Sequence, residues 1–138
     1  MLIGTYRHSI DEKKRMRVPP KFKSELGANF IITKGTGKNL YAFSKEQFEV
    51  LYNKLTSLPL FDEEAQKPIR KFLSSAFEAE EDGQGRILLP KELLAHAGIT
   101  KNLVTVGVGN RAEIWAEEVW EKTDGEPADF NILAKFGV

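Results

Sequence analysis

The sequence predicts an α+β protein in which two copies of one short unit close a single pseudo-symmetric core. Two observations lead there. A frame of Asp-x-x-x-Arg, three residues tending apolar, then Pro appears as Asp11-Glu-Lys-Lys-Arg15-Met-Arg-Val-Pro19 and returns as Asp82-Gly-Gln-Gly-Arg86-Ile-Leu-Leu-Pro90. The correspondence then continues: Phe22 answers to Leu93, Gly27 to Gly98, and Tyr41–Phe48 to Glu113–Trp120 with one residue of drift. Two copies are too few for a solenoid, so the product is two half-units sharing one core. A single copy has too few strands to bury both faces alone.

The elements follow in order. Leu2–Arg7 reads as a strand, and Ser9-Ile10 and Met16–Val18 flank a charged turn. Pro19-Pro20 fits a helix start, because proline lacks the N–H that a first turn leaves unused, and Lys21–Leu26 forms that helix, stopped by Gly27. Phe30–Thr33 and Leu40–Phe43 make a hairpin about the Gly35–Lys38 turn. Ser44 with Gln47 is a capping box opening an amphipathic helix expected to bury Phe48, Leu51, Tyr52 and Leu55. After a linker at residues 56–60, Asp62 caps a helix over Glu63–Leu73, with Pro68 predicting a kink or a later start. The second copy gives a strand near Phe77–Glu81, a turn at Asp82–Gly85, a strand at Arg86–Leu89 and a helix at Pro90–Ala97 stopped by Gly98. Leu103–Val108 and Ala112–Trp115 pair across Gly109-Asn110, and Ala116–Lys122 is a last short helix. The boundaries are therefore a first repeat at 1–55 (core 5–48), a linker and helix at 56–76, a second repeat at 77–121 and a tail at 122–138.

Composition narrows the function. The 138 residues contain no cysteine and two histidines, His8 and His96, far apart in sequence. Disulfides and thiolate metal sites are excluded, and no metal or other cofactor is expected. No stretch is long enough to span a bilayer, and Met-Leu-Ile-Gly is too short for a signal peptide, so a soluble cytoplasmic protein is expected. Basic and acidic residues balance at 20 each, but they are segregated. Arg7, Lys13, Lys14, Arg15, Arg17, Lys21 and Lys23 crowd the first 24 residues, whereas Glu113, Glu117, Glu118, Glu121, Asp124, Glu126 and Asp129 dominate the end. One end is thus a candidate anion-binding surface, with a merely solvated polar surface as the alternative.

Across a tight turn the carboxylate of Asp-x-x-x-Arg can accept backbone N–H groups and meet the guanidinium, fixing the loop and holding the arginine at its rim. Asp11 and Asp82 are the turn organisers. The first copy fills its loop with Lys13 and Lys14 and adds Arg17; the second has Gly83, Gln84 and Gly85, which marks it as scaffold. Other groupings are weaker. Glu78, Glu80, Glu81 and Asp82 suggest acid–base or metal chemistry less well than a solvated strand edge. Gly35-Thr-Gly37-Lys38 lacks the length of a phosphate loop. Trp115 and Trp120, as mates of Phe43 and Phe48, read as core rather than base-stacking platforms. No serine has a histidine and an acid beside it, so no enzyme and no small-molecule substrate are expected.

The duplicated Asp-x-x-x-Arg, the Pro-led helix after each, Asp82-Gly-Gln-Gly-Arg86-Ile-Leu-Leu-Pro90 and Val106-Gly-Val-Gly-Asn-Arg-Ala-Glu-Ile-Trp115 together resemble the MraZ family, over Met1 to about Glu121. The resemblance implies tandem AbrB-type domains, that is, swapped-hairpin β-barrel halves with short flanking helices. It further implies a nucleoid-associated bacterial transcriptional regulator that assembles as a ring-shaped homo-oligomer. Such a regulator binds repeated short sites in double-stranded promoter DNA upstream of the division and cell-wall gene cluster. On that reading Lys13, Lys14, Arg15 and Arg17 contact DNA, Arg7 is a flanking phosphate contact, and Arg86 is a weaker equivalent. Lys14 stands where the family usually has glycine, which predicts a different backbone geometry in the first turn. A rival reading is an antitoxin-like assembly module whose extension wraps a protein partner.

Overall fold

The computed structural model describes residues 1–138. Eight strands and five helices follow one another as β1 (Leu2–Ser9), β2 (Arg15–Arg17), α1 (Pro20–Leu26), β3 (Asn29–Lys34), β4 (Leu40–Phe43), α2 (Lys45–Thr56), α3 (Glu63–Ser74), β5 (Phe77–Glu80), β6 (Arg86–Leu88), α4 (Lys91–Ala97), β7 (Asn102–Gly109), β8 (Ala112–Ala116) and α5 (Glu117–Asp124), with a 3-10 segment at Phe130–Phe136. Six strands form one antiparallel sheet in the order β1-β7-β8-β4-β3-β5, and β2 with β6 forms a separate two-stranded ribbon.

That order is a palindrome of the repeat. β1 of the first copy pairs with β7 of the second, β5 of the second pairs with β3 of the first, and β4 meets β8 at the centre, with Tyr41 opposite Glu113. Pairing between the copies buries what neither could bury alone. The sheet is open, however, and not a closed barrel: β1 and β5 are its two edges. The face that a barrel would curl over is covered instead by the ribbon and the two short helices. Met16, Val18, Ile87 and Leu89 from the ribbon region join Phe22, Leu26, Leu93, Leu94 and Ala97 from α1 and α4 in one core with Phe30, Ile32, Leu40, Leu103 and Ile114 of the sheet. Tyr6 meets Phe22 edge-on at 5.3 Å.

The other face is shared by α2, α3 and α5. Val104, Val106 and Trp115 pack with Val119 and Trp120, and Phe43 packs on Phe48 and Phe72. Both tryptophans therefore belong to packing. Ser44 caps α2 through the Gln47 N–H, as its sequence implies, but α2 buries no residue fully. Phe48, Leu51 and Leu55 are half-buried and Tyr52 is exposed, so the expected burial of this helix is not met within one chain. Amphipathic spacing fixes which stripe is apolar but not whether the same chain covers it. The helix α3 starts at Glu63 under its Asp62 cap and runs through Pro68 without a later start. Between β1 and β7, Gly107 is required: a Cβ there would lie 2.4 Å from the backbone N of Ile3.

Candidate nucleic-acid interface

The ribbon is built by the two Asp-x-x-x-Arg turns, and its hydrogen bonds repeat almost atom for atom. Asp11 Oδ1 accepts the N–H groups of Lys13 and Arg15, each at 2.9 Å, and its Oδ2 accepts Arg15 Nε at 2.8 Å. Asp82 Oδ1 accepts those of Gln84 and Arg86 at 2.8 and 3.0 Å, and its Oδ2 accepts Arg86 Nε at 2.9 Å. These donors favour the ionised carboxylate. The Arg15 backbone N–H foremost, then the Arg15 side chain, hold Asp11 below the ordinary carboxylate range; the Arg86 and Gln84 backbone N–H groups do the same for Asp82.

The two turns are also tied to each other. Met16 pairs with Ile87 at the centre of the ribbon, flanked by Arg15 opposite Leu88 and Arg17 opposite Arg86. One more bond extends the ladder at each end, Leu89 N–H to the Lys14 carbonyl and Val18 N–H to the Gly85 carbonyl. Arg15 Nη1 lies 3.9 Å from Asp82 Oδ2 and Arg86 Nη1 3.9 Å from Asp11 Oδ2, closing a four-charge ring about the pseudo-twofold. Arg17 Nη1 donates to the Gln84 carbonyl at 2.5 Å. Each arginine of the ribbon is thus held by something it did not bring itself.

Alternation along strands of period two sends Met16 and Ile87 inward and Arg15, Arg17, Arg86 and Leu88 outward. Arg15 and Arg86 are similarly half-buried by their ion pairs, Arg17 is exposed, and Lys13 and Lys14 stand exposed at the loop. The result is a narrow ridge presenting guanidinium and ammonium groups on a rigid frame.

The family described as "MraZ protein, putative antitoxin-like" matches residues 1–70 and 72–135. A protein of Ligilactobacillus salivarius called transcriptional regulator MraZ is 46% identical over 136 residues, covering 98% of this chain and 95% of that one. One of Clostridium tetani with the same name is 42% identical over 135 residues, with the same coverage of both. One of Caldanaerobacter subterraneus subsp. tengcongensis is 45% identical over 122 residues, 88% of this chain and 85% of that one. The chain belongs to the MraZ family.

The change of backbone geometry expected at Lys14 is not found. Lys14 has φ 64° and its repeat mate Gly85 φ 73°, so both turns take the same left-handed step. The turn's hydrogen bonds and the Asp11 cap outweigh the steric cost of a Cβ there. What changes is charge and strain, not geometry.

The structure gathers Lys13, Lys14, Arg15, Arg17 and Arg86 on or beside one ribbon, with Asp11 and Asp82 beneath the arginines. It does not bring Arg7 to them: Arg7 Nη1 bonds Glu121 Oε1 at 2.5 Å and lies 3.9 Å from Glu117, so its charge is met by α5. The acidic group of the second turn is dispersed as well, Glu78 to Lys45 and Glu81 to Lys23. No three His, Cys, Asp or Glu side chains are grouped to hold a metal ion. His96 meets the Gly37 carbonyl at 3.0 Å and His8 meets Thr105 Oγ1 at 2.7 Å. No helix is long and apolar enough to cross a membrane. Two features escaped sequence reasoning. Arg17 reaches the second turn, a long-range contact without a local signal. Leu88 is exposed among cations, which aligning it with Arg17 in the repeat would have exposed.

Proposed function

We propose that this protein is a transcriptional regulator that binds double-stranded DNA sequence-specifically through the β2–β6 ribbon and carries out no enzymatic reaction. Its relatives' shared name supports the regulatory role. The observation that carries the DNA reading is the ribbon's outward row of arginines, each fixed by an aspartate or a carbonyl. The major groove admits a two-stranded β-ribbon, and a preorganised guanidinium there can bridge guanine O6 and N7, worth about 1–3 kcal/mol of discrimination. Lys13 and Lys14 at the loop neutralise flanking phosphates, each adding about 0.9 to the slope of log affinity against log salt. Arg86 contributes as the weaker equivalent of Arg15, and Arg7 has at most a long-range electrostatic role.

One ribbon touches too few phosphates to bind tightly alone. The regulator therefore works as a homo-oligomer, a ring of tandem swapped-hairpin units whose ribbons engage direct repeats in a promoter together. Support for assembly comes from apolar surface the chain leaves uncovered: α2 has no fully buried residue, and Leu60 and Phe61 beside it are largely exposed. The targets are promoters of the division and cell-wall gene cluster, its own included, and the protein resides in the cytoplasm with the nucleoid. Binding of the DNA upstream of its own gene, measured by anisotropy over a salt series against a shuffled duplex, tests this. A steep salt slope with strong preference for the upstream fragment is expected; equal affinity for both duplexes would remove the sequence-specific reading.

The exposed 3-10 segment Phe130–Phe136 favours a second reading, in which a protein partner covers it as in an antitoxin. Deleting residues 126–138 separates the two. The ribbon reading expects DNA affinity per subunit to survive.

A further inference from the structure

Leu88 is the one apolar side chain on the outward face of the ribbon. It is 61% exposed, sits opposite Arg15, and is flanked on the same face by Arg86 and, across the ribbon, Arg17. Its repeat mate is Arg17 itself, so at the two pseudo-equivalent positions of one face the chain carries a guanidinium and an isobutyl group. Packing does not ask for leucine here: the core residues of β6 and its continuation are Ile87 and Leu89, both about 1% exposed, and Leu88 points the other way.

We infer that Leu88 is a specificity-determining residue that reads thymine, by apolar contact with the C5-methyl group in the major groove. The inference rests on the proposed DNA-binding role of the ribbon. Among the groups that distinguish one base pair from another in that groove, the thymine methyl is the bulky apolar one, and it is satisfied by apolar side chains rather than donors. A leucine between arginines therefore divides the ribbon chemically: Arg17 and its neighbours favour guanine, while Leu88 favours a methyl-bearing base beside it. Desolvating a guanine edge or a cytosine amine against the same side chain leaves that polar group unpaired, so the residue also discriminates against those bases. The two repeats, alike in fold, thus supply unlike letters of one recognition sequence.

The test uses the full chain and a duplex it selects from a random pool, with each thymine replaced in turn by deoxyuridine, which lacks only the methyl. For the wild type, affinity should fall about fourfold per site at one thymine, the loss expected for one methyl withdrawn from an apolar contact. Leu88→Ala should bind the thymine duplex more weakly and no longer distinguish thymine from uracil at that position, with its melting temperature and subunit number unchanged. Leu88→Met should keep the discrimination. A wild type indifferent to every uracil replacement, or Leu88→Ala retaining the fourfold difference, would overturn the assignment while leaving DNA binding intact. A change in subunit number in Leu88→Ala, with the uracil response kept, would make Leu88 an interface between copies. Failure to select any duplex would sink the DNA reading itself, and this inference with it.

Discussion

Replacing Lys14 with glycine should stabilise the fold and weaken DNA binding at once. Lys14 is the sole non-glycine residue with positive φ, at 64°. A Cβ in the left-handed region costs roughly 1–2 kcal/mol. Glycine relieves that but adds freedom to the unfolded chain, which offsets about 0.4–1 kcal/mol. The net gain is about 0.5–1 kcal/mol. With an unfolding entropy of about 2 cal/mol/K per residue, the melting temperature of a chain this size rises by about 2–3 °C. Protein concentration must be held fixed, because self-association of the kind proposed would also shift the melting point. The same change removes one ammonium from the loop, so the slope of log affinity against log salt should shrink by about 0.9 for each engaged subunit. Lys14→Ala separates the two effects, because it keeps the Cβ and loses the charge: it should show the reduced slope without the gain in stability. A lower melting temperature for Lys14→Gly would mean that the lysine side chain stabilises the turn and the strain argument is wrong. An unchanged salt slope in both variants would mean that Lys14 touches no phosphate.

Other expectations follow from the same frame. Arg15→Ala and Arg86→Ala should lower the melting temperature alike, because each leaves one aspartate of the four-charge ring short of a partner, but Arg15→Ala should lose more DNA affinity; titration calorimetry and melting on the pair check both halves. Acid should act in two windows: burial holds His8 below its ordinary value despite a backbone bond near Arg17, and its backbone N–H bonds hold each turn aspartate below its own. In each case the folded value is the lower, so stability is present above the unfolded value and lost as pH falls, from about 6.5 for His8 and from about 4 for the aspartates. His8→Gln should flatten the first decline in a melting series against pH, and Asp11→Asn with Asp82→Asn the second. Affinity should climb sharply from one DNA repeat to two and drop when half a helical turn is inserted between them, measured by anisotropy on a spacer series.

What was legible in the sequence was local. The Asp-x-x-x-Arg chemistry closes within five residues, so both turns, their cross-turn bonds and the proline-led helices after them could be read without a fold. The Ser44 and Asp62 caps are equally local. What was not legible depends on distant partners. Nothing near β1 says that it pairs with β7, because hairpin logic reaches only to the next strand. The apolar stripe of α2 shows its face but not its cover, so its spacing predicts Tyr52 inside while Tyr52 lies outside. The repeat frame makes Leu88 one of three apolar residues before Pro90, although period-two alternation with Ile87 and Leu89 sends it to the surface. A lysine where the resembled family usually has glycine predicts a changed turn, but the turn's hydrogen bonds outweigh the steric cost of the Cβ and keep the left-handed step.

The central claim, that the ribbon reads guanine in the major groove through arginines held by the two turns, is tested most directly by methylation interference at guanine N7. The duplex is selected by the protein and bound to the wild type and to Arg17→Ala. N7 methylation should block wild-type binding at specific guanines in each repeat, and Arg17→Ala should lose the interference at one of them while keeping the others. Interference absent at every guanine, or a pattern identical in the two proteins, would contradict the account.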